Sequence, residues 1–175
     1  MTTTGYCTAD YTSWGTGITI LFFVLTFTGA CAGSTSGNIK ILRHLVFFKN
    51  SILEFKRLVH PRGMIRVKID SQLVAPKILT HILVFLLLYL ILFVIGSWIM
   101  AFMLNDVEEP FLTAIGSVAS CLGNVGPAIG SVGPVHNFGI IPPLGKCLLS
   151  FYMIVGRLEL FTVLIIFSPY FWRTN

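Results

Sequence analysis

The sequence predicts an all-α integral membrane protein assembled from helix, re-entrant loop, helix repeats, and three observations carry that prediction. Apolar residues make up 55% of the 175 and charged residues only 11%, with a mean hydropathy of +0.85, so lipid is the main solvent. Most of the Lys and Arg fall between Lys40 and Lys77, whereas Asp106, Glu108 and Glu109 gather beyond the next apolar run. Two glycine-rich stretches, "GACAGSTSGNIK" at 29–40 and "LGNVGPAIG" at 122–130, interrupt chain that should otherwise be crossing a membrane.

Taken in order, the opening "MTTTGYCTAD" has neither a basic n-region nor an apolar h-region, so no signal peptide is read there, and the chain is expected to be a piece of a longer protein. The run from Trp14 to Thr28 starts a span that residues 29–40 break. Lys40, Arg43, Lys49, Lys56, Arg57, Arg62, Arg66, Lys68 and Lys77 then place the following connection on the cytoplasmic side. Membrane spans bracket this cluster, which makes a nucleic-acid patch the weaker reading. Within the link at 61–76, His60-Pro61-Arg62-Gly63 gives a turn signal and "IRVKI" alternates as a short strand.

Pro76 suits the start of an outer helix over 77–104, about 40 Å long and able to span with tilt. Its far end meets the acidic cluster, which belongs outside. The apolar stretch 110–122 makes only about 20 Å of helix, half a bilayer, and a glycine loop at 123–127 follows it. A half-length helix between two full spans reads as re-entrant, and non-helical backbone at that depth requires a pore or a site beside it. A last inner helix over 143–167 runs inward to Tyr170, Trp172 and Arg173 at the cytoplasmic interface.

A weak repeat links the two halves. "TTTGY" before the first span and "GNVGP" before the last are both outer loops with a central glycine ahead of an inward-going helix. Glycine can turn successive carbonyls toward one axis, and rings of carbonyls replace the hydration shell of a potassium ion. Thr3 and Thr4 add hydroxyls beside Gly5. Arg157, near the middle of the last span, costs about 2.5–3.5 kcal/mol to insert and needs an interior partner. Glu159, two residues on, points to another helix face. The freed carbonyls of the broken stretch would satisfy Arg157, which makes that stretch a gate below the carbonyl ring.

Other chemistries fit poorly. The glycines lack phosphate-loop spacing, and Thr35 occupies the nucleophile position that a hydrolase elbow requires. An intramembrane hydrolase built on Ser34 or Ser36 would have only His44 or His81 as a base, both near the basic end. The four histidines share no ligand spacing, and Cys7, Cys31, Cys121 and Cys147 are scattered singly, so neither a metal site nor a disulfide framework is expected. A non-conducting structural subunit is the alternative that survives.

"MTTTGY", "GACAGSTSGNIK", "KRLVHPR", "LGNVGP" and "GRLELFTVLIIFSPYFWR" resemble, in order and spacing, the C-terminal part of the Trk/Ktr/HKT potassium transporters, most closely the TrkH-type subunit. The resemblance implies a pore of four repeats in one chain. Residues 1–60 then hold the filter loop and broken inner helix of the third repeat, and 77–175 the complete fourth. It further implies a potassium filter at Thr3, Thr4, Gly5, Asn124, Val125 and Gly126. The gate loop would comprise Gly29, Ala30, Cys31, Ala32, Gly33, Ser34, Thr35, Ser36 and Gly37, held by Arg157. Asn38 stands where the family often has another glycine and is expected to stiffen the loop. The implied setting is the bacterial inner membrane, multi-pass. The implied partners are the missing N-terminal repeats, a second copy of the protein, membrane lipid and a cytoplasmic nucleotide-binding ring of the TrkA type. No nucleic acid, no catalysis and no cofactor are expected beyond K+ as the transported ion.

Overall fold

The computed structural model describes residues 3–31, 33–34, 37–60, 67–69, 72–105, 107–158, 160–167 and 169–172. The chain is all-α apart from two paired two-residue strands. A 3₁₀ turn at Tyr11–Trp14, capped by the Asp10 side chain on Thr12 N, leads into α1 (Thr16–Leu25). Ile18, Ile20, Leu21 and Val24 on α1 are exposed, as expected of a face turned to hydrocarbon. The helix stops at Thr26, and the chain becomes helical again as α2 (Ile41–Val59). Lys56 and Arg57 occupy its last turn, where cations oppose the negative end of the helix dipole.

The link contributes β1 (Lys68–Ile69) and β2 (Gln72–Leu73), antiparallel with Lys68 opposite Leu73. Of the strand expected over "IRVKI", Lys68 and Ile69 are in β1, and Ile65 and Arg66 lie outside the described residues. Pro76 opens α3 (Pro76–Met103), a 28-residue helix. Among the described helices, α3 alone is long and apolar enough to cross a membrane by itself. Its buried stripe of Ile82, Phe85, Tyr89, Gly96 and Met100 repeats at helical spacing, while Leu87, Leu90, Val94 and Trp98 face outward.

The central element is α4 (Pro110–Gly123), the half-length helix. Ten of its 14 residues are buried, including Thr113, Ser117 and Ser120. It packs between α3 and α5 (Pro143–Arg157), and its Ala114, Val118, Cys121 and Leu122 form the middle of the core with Phe85, Tyr89, Leu149 and Val155. Gly96 lets α5 approach α3: Tyr152 lies over it, and the Tyr152 hydroxyl donates to the Leu92 carbonyl at 2.9 Å. An aromatic ladder joins α1 to α3 in turn, with Phe27 edge-on to Phe93 at 5.2 Å and Phe23 at 6.5 Å from the same ring.

The last span departs from expectation. Instead of one inner helix over 143–167, the chain forms α5 and a separate α6 (Leu160–Phe167), bent by 114° from it. Just before the bend, α5 is in contact with the end of α4. A Cβ at Gly156 would come within 2.0 Å of the Leu122 carbonyl oxygen, so α5 runs directly against the end of α4 at that point. Asn124 Nδ2 also donates to the Met153 carbonyl at 3.1 Å, drawing on an acceptor in the last turn of α5.

Candidate functional site

Two loops that the sequence places far apart come together. Thr3–Cys7 precedes the first 3₁₀ turn and Asn124–Pro127 follows α4, both without regular structure. Positive φ values at Thr3 (52°), Gly5 (82°), Asn124 (53°) and Gly126 (110°) give the two loops the same alternating turn of the backbone. They meet glycine to glycine: a Cβ on Gly126 would lie 2.6 Å from Gly5 Cα, and one on Gly5 would lie 3.6 Å from the Val125 carbonyl oxygen. A cleft of about 210 Å³ opens beside this contact, lined by Thr3, Thr4, Gly5, Tyr6, Cys7, Tyr11, Phe22, Thr26, Val125 and Pro127.

Ser120 sets the second loop. Its hydroxyl donates to the Gly126 carbonyl at 2.8 Å and accepts from Gly126 N at 3.1 Å, while Val125 N bonds the Ser120 carbonyl at 3.0 Å. The end of α4 thus dictates the loop's path one residue at a time. Across the contact, the Tyr11 hydroxyl donates to the Ala128 carbonyl. Burial, aided by the charges of Cys7 and Asp10, pushes the Tyr11 phenol up to about 12, so it remains a donor. Neither Ser120 nor Tyr11 belongs to a motif, and only the three-dimensional fold reveals their roles.

The interrupted span forms a closed loop. Thr28 bridges Ile39, Gly29 N bonds the Ile39 carbonyl at 2.8 Å and Ile41 N bonds the Ala30 carbonyl at 3.2 Å, so the chain returns to the level at which it left. Of the expected gate residues, Gly29, Ala30, Cys31, Gly33, Ser34 and Gly37 are described; Ala32, Thr35 and Ser36 lie outside the described residues. Cys31 is exposed, and Ser34 N turns back to the Cys31 carbonyl. Gly37 is buried under the second loop: a Cβ there would be 2.8 Å from Asn124 Nδ2 and 3.2 Å from the Gly123 carbonyl oxygen.

Arg157 ends α5 with an exposed side chain and makes no hydrogen bond or ion pair with the described residues of the loop. The polar groups that do meet the loop's end are Asn38, Tyr89 and Asn124. Gly156 nonetheless shares a small cavity with Asn38, Lys40, Arg43 and Tyr89, which sets the break between α5 and α6 next to the foot of the loop. There the Arg43 guanidinium sits 3.9 Å over the Phe85 ring. His44, the base a hydrolase would need, has its Nε2 3.2 Å from the Phe27 carbonyl oxygen.

A long apolar span, a buried half-length helix and paired glycine loops define an all-α integral membrane protein. The chain matches the TrkH family model, cation transport protein, over residues 1–173, and it belongs to that family. It is 36% identical over 174 residues to the Trk system potassium uptake protein TrkG of Escherichia coli K12, covering 99% of this chain and 35% of that protein. To the Trk system potassium uptake protein TrkH of Halomonas elongata it is 37% identical over 172 residues, covering 98% and 34%. The crystal structure of the potassium transporter TrkH from Vibrio parahaemolyticus superposes with a TM-score of 0.87 at 34% identity, over 98% of this chain and 36% of that one. The chain spans about a third of the length of these relatives.

Proposed function

We propose that this chain supplies half of a potassium-conducting pore in a bacterial inner-membrane uptake protein. Two of four filter loops and their inner helices would come from it, and K+ would pass down its gradient without chemistry. The observation that carries the reading is the apposition of Gly5 and Gly126, through which two loops from separate repeats face one another over a shared cleft. The carbonyls of Thr3, Thr4, Gly5, Asn124, Val125 and Gly126, with the threonine hydroxyls, are the groups that take the place of water around the ion. The lack of a longer glycine-containing filter run in either loop leads to weaker selectivity than four-fold potassium channels achieve.

Residues 29–37 act as the gate in this proposal, supported by the burial of Gly37 against Gly123 and Asn124. Arg157, exposed and without a bond to the described loop residues in this structure, is the cation that would meet the loop's carbonyls when the gate is held. The other repeats of the same protein complete the ring, a second copy forms the dimer, and the basic link faces anionic lipid and a nucleotide-binding ring of the TrkA type.

The test replaces the matching part of E. coli TrkG with this chain and measures potassium and rubidium uptake in a bacterium lacking its own potassium uptake systems. Uptake by the chimaera, absent from the chain expressed alone, is the expected result. A chimaera that reaches the membrane folded and carries no cation would leave the non-conducting structural subunit in its place.

A further inference from the structure

The residue after the gate loop has an arrangement that a stiffened linker does not need. Asn38 is 5% exposed and adopts a left-handed backbone with φ of 76°. Glycine takes that conformation with no steric penalty, so an asparagine here retains its side chain at some conformational disadvantage. Both ends of the carboxamide are bonded. Its Nδ2 donates to the Thr26 carbonyl at the end of α1, and its Oδ1 accepts from Ile39 N at 2.9 Å and from the Tyr89 hydroxyl of α3 at 3.3 Å. A Cβ on Gly123, the last residue of α4, would lie 3.0 Å from the same Nδ2.

We propose that Asn38 is the latch of the gate loop, a positioning residue that holds Gly37 under the second filter loop by tying both sides of the helix break to α3. The proposal rests on the gate reading of residues 29–37. One side chain bonds the strand that enters the loop through Thr26, the strand that leaves it through Ile39, and a fixed outer helix through Tyr89. Swinging the loop away strands the Thr26 carbonyl and the Tyr89 hydroxyl, which are 6% and 3% exposed residues with little access to water. Moving Gly37 therefore requires releasing Asn38 first. Arg157, by contrast, touches none of these groups, so the latch and the arginine are separable devices.

The experiment uses Asn38→Gly, which keeps the left-handed backbone while removing the carboxamide, and Tyr89→Phe, which removes one hydroxyl. Both are placed in the TrkG chimaera. Two quantities are read: the maximal rate and half-saturating potassium concentration of uptake, and hydrogen exchange at the Gly29 and Ile41 amides, which close the loop. Loss of the latch raises the maximal rate and the exchange at those two amides about five-fold in Asn38→Gly, and less in Tyr89→Phe. The half-saturating concentration and exchange in α3 and α4 stay at parental values, which a general loosening of the fold would not allow.

Unchanged loop exchange in both variants, at parental amounts in the membrane, overturns the latch. Should Asn38→Gly fail to accumulate, Tyr89→Phe decides by the same readouts. A parental chimaera without uptake sinks the pore reading alone, because exchange at Gly29 and Ile41 still reports whether Asn38 holds the loop closed.

Discussion

The Tyr11 hydroxyl donates a 2.7 Å hydrogen bond to the Ala128 carbonyl, joining residues 117 positions apart and binding the turn that leads into α1 to the loop that follows α4. Tyr11→Phe leaves that buried carbonyl without its partner and lowers stability by about 1–3 kcal/mol, seen as a reduced thermal midpoint in detergent. The bond also has a pH limit. Folding raises the phenol from 10.0 to about 12, so its contribution is complete below pH 10 and disappears as pH climbs through 12. The alkaline loss of stability should be smaller in Tyr11→Phe than in the parent.

Gly126→Ala should damage ion discrimination more than expression. The new methyl would stand 2.6 Å from Gly5 Cα at a φ of 110°, so the two loops must separate. Strain of about 1–3 kcal/mol at such a site corresponds to a roughly five- to hundred-fold shift in relative binding. Sodium competition against rubidium uptake in the chimaera measures it, and an unchanged preference for potassium would remove Gly126 from the filter.

Ser120→Ala removes both side-chain bonds to Gly126 while leaving the helix intact. Potassium preference should fall in the same direction as in Gly126→Ala, by about five-fold for each bond's worth of ordering lost. Ser117→Ala makes the comparison: that hydroxyl bonds only the Ala114 carbonyl within its own helix and should leave selectivity alone.

Gly156→Ala should prevent α5 from packing on α4. A methyl 2.0 Å from the Leu122 oxygen cannot be absorbed by a rotamer change, and overpacking typically costs about 1–3 kcal/mol or more. The readout is a loss of monodisperse protein on size-exclusion chromatography. Normal yield with normal uptake would mean that α5 does not press on α4 as described.

Arg157→Gln tests the arginine of the proposed gate. If Arg157 meets the loop's carbonyls in the assembled pore, its replacement raises the maximal uptake rate by about ten-fold, the scale of a lost charged bond. Equal rates in parent and variant would confine Arg157 to another role.

What could be read from the chain depended on whether its cause was local. The outer helix, expected over 77–104, runs Pro76–Met103, and the half-length helix expected over 110–122 runs Pro110–Gly123, because proline starts, apolar runs and glycine stops are written in the residues themselves. The break at 29–40 was legible for the same reason. The break between α5 and α6 was not, since "FYMIVGRLELFTVLIIF" holds no proline and is apolar apart from Arg157 and Glu159, and the contact that accompanies it comes from Leu122 and Asn124 on another element. Likewise Arg157 announced itself by charge, whereas Ser120, Tyr11 and Tyr89 take their parts from partners six to 117 positions away.

The seclusion of α4 bears on how the protein is made. Too short to cross a bilayer, and with Thr113, Ser117 and Ser120 among its ten buried residues, it offers the insertion machinery little reason to release it sideways into lipid. Its natural surroundings, α3 on one side and α5 on the other, flank it in the chain and are synthesised before and after it. Both partners that bury α4 are therefore present only once α5 has been made. The loop at Asn124–Pro127 shares that dependence, because the Asn124 side chain finds its acceptor, the Met153 carbonyl, on α5 and so only after that helix exists.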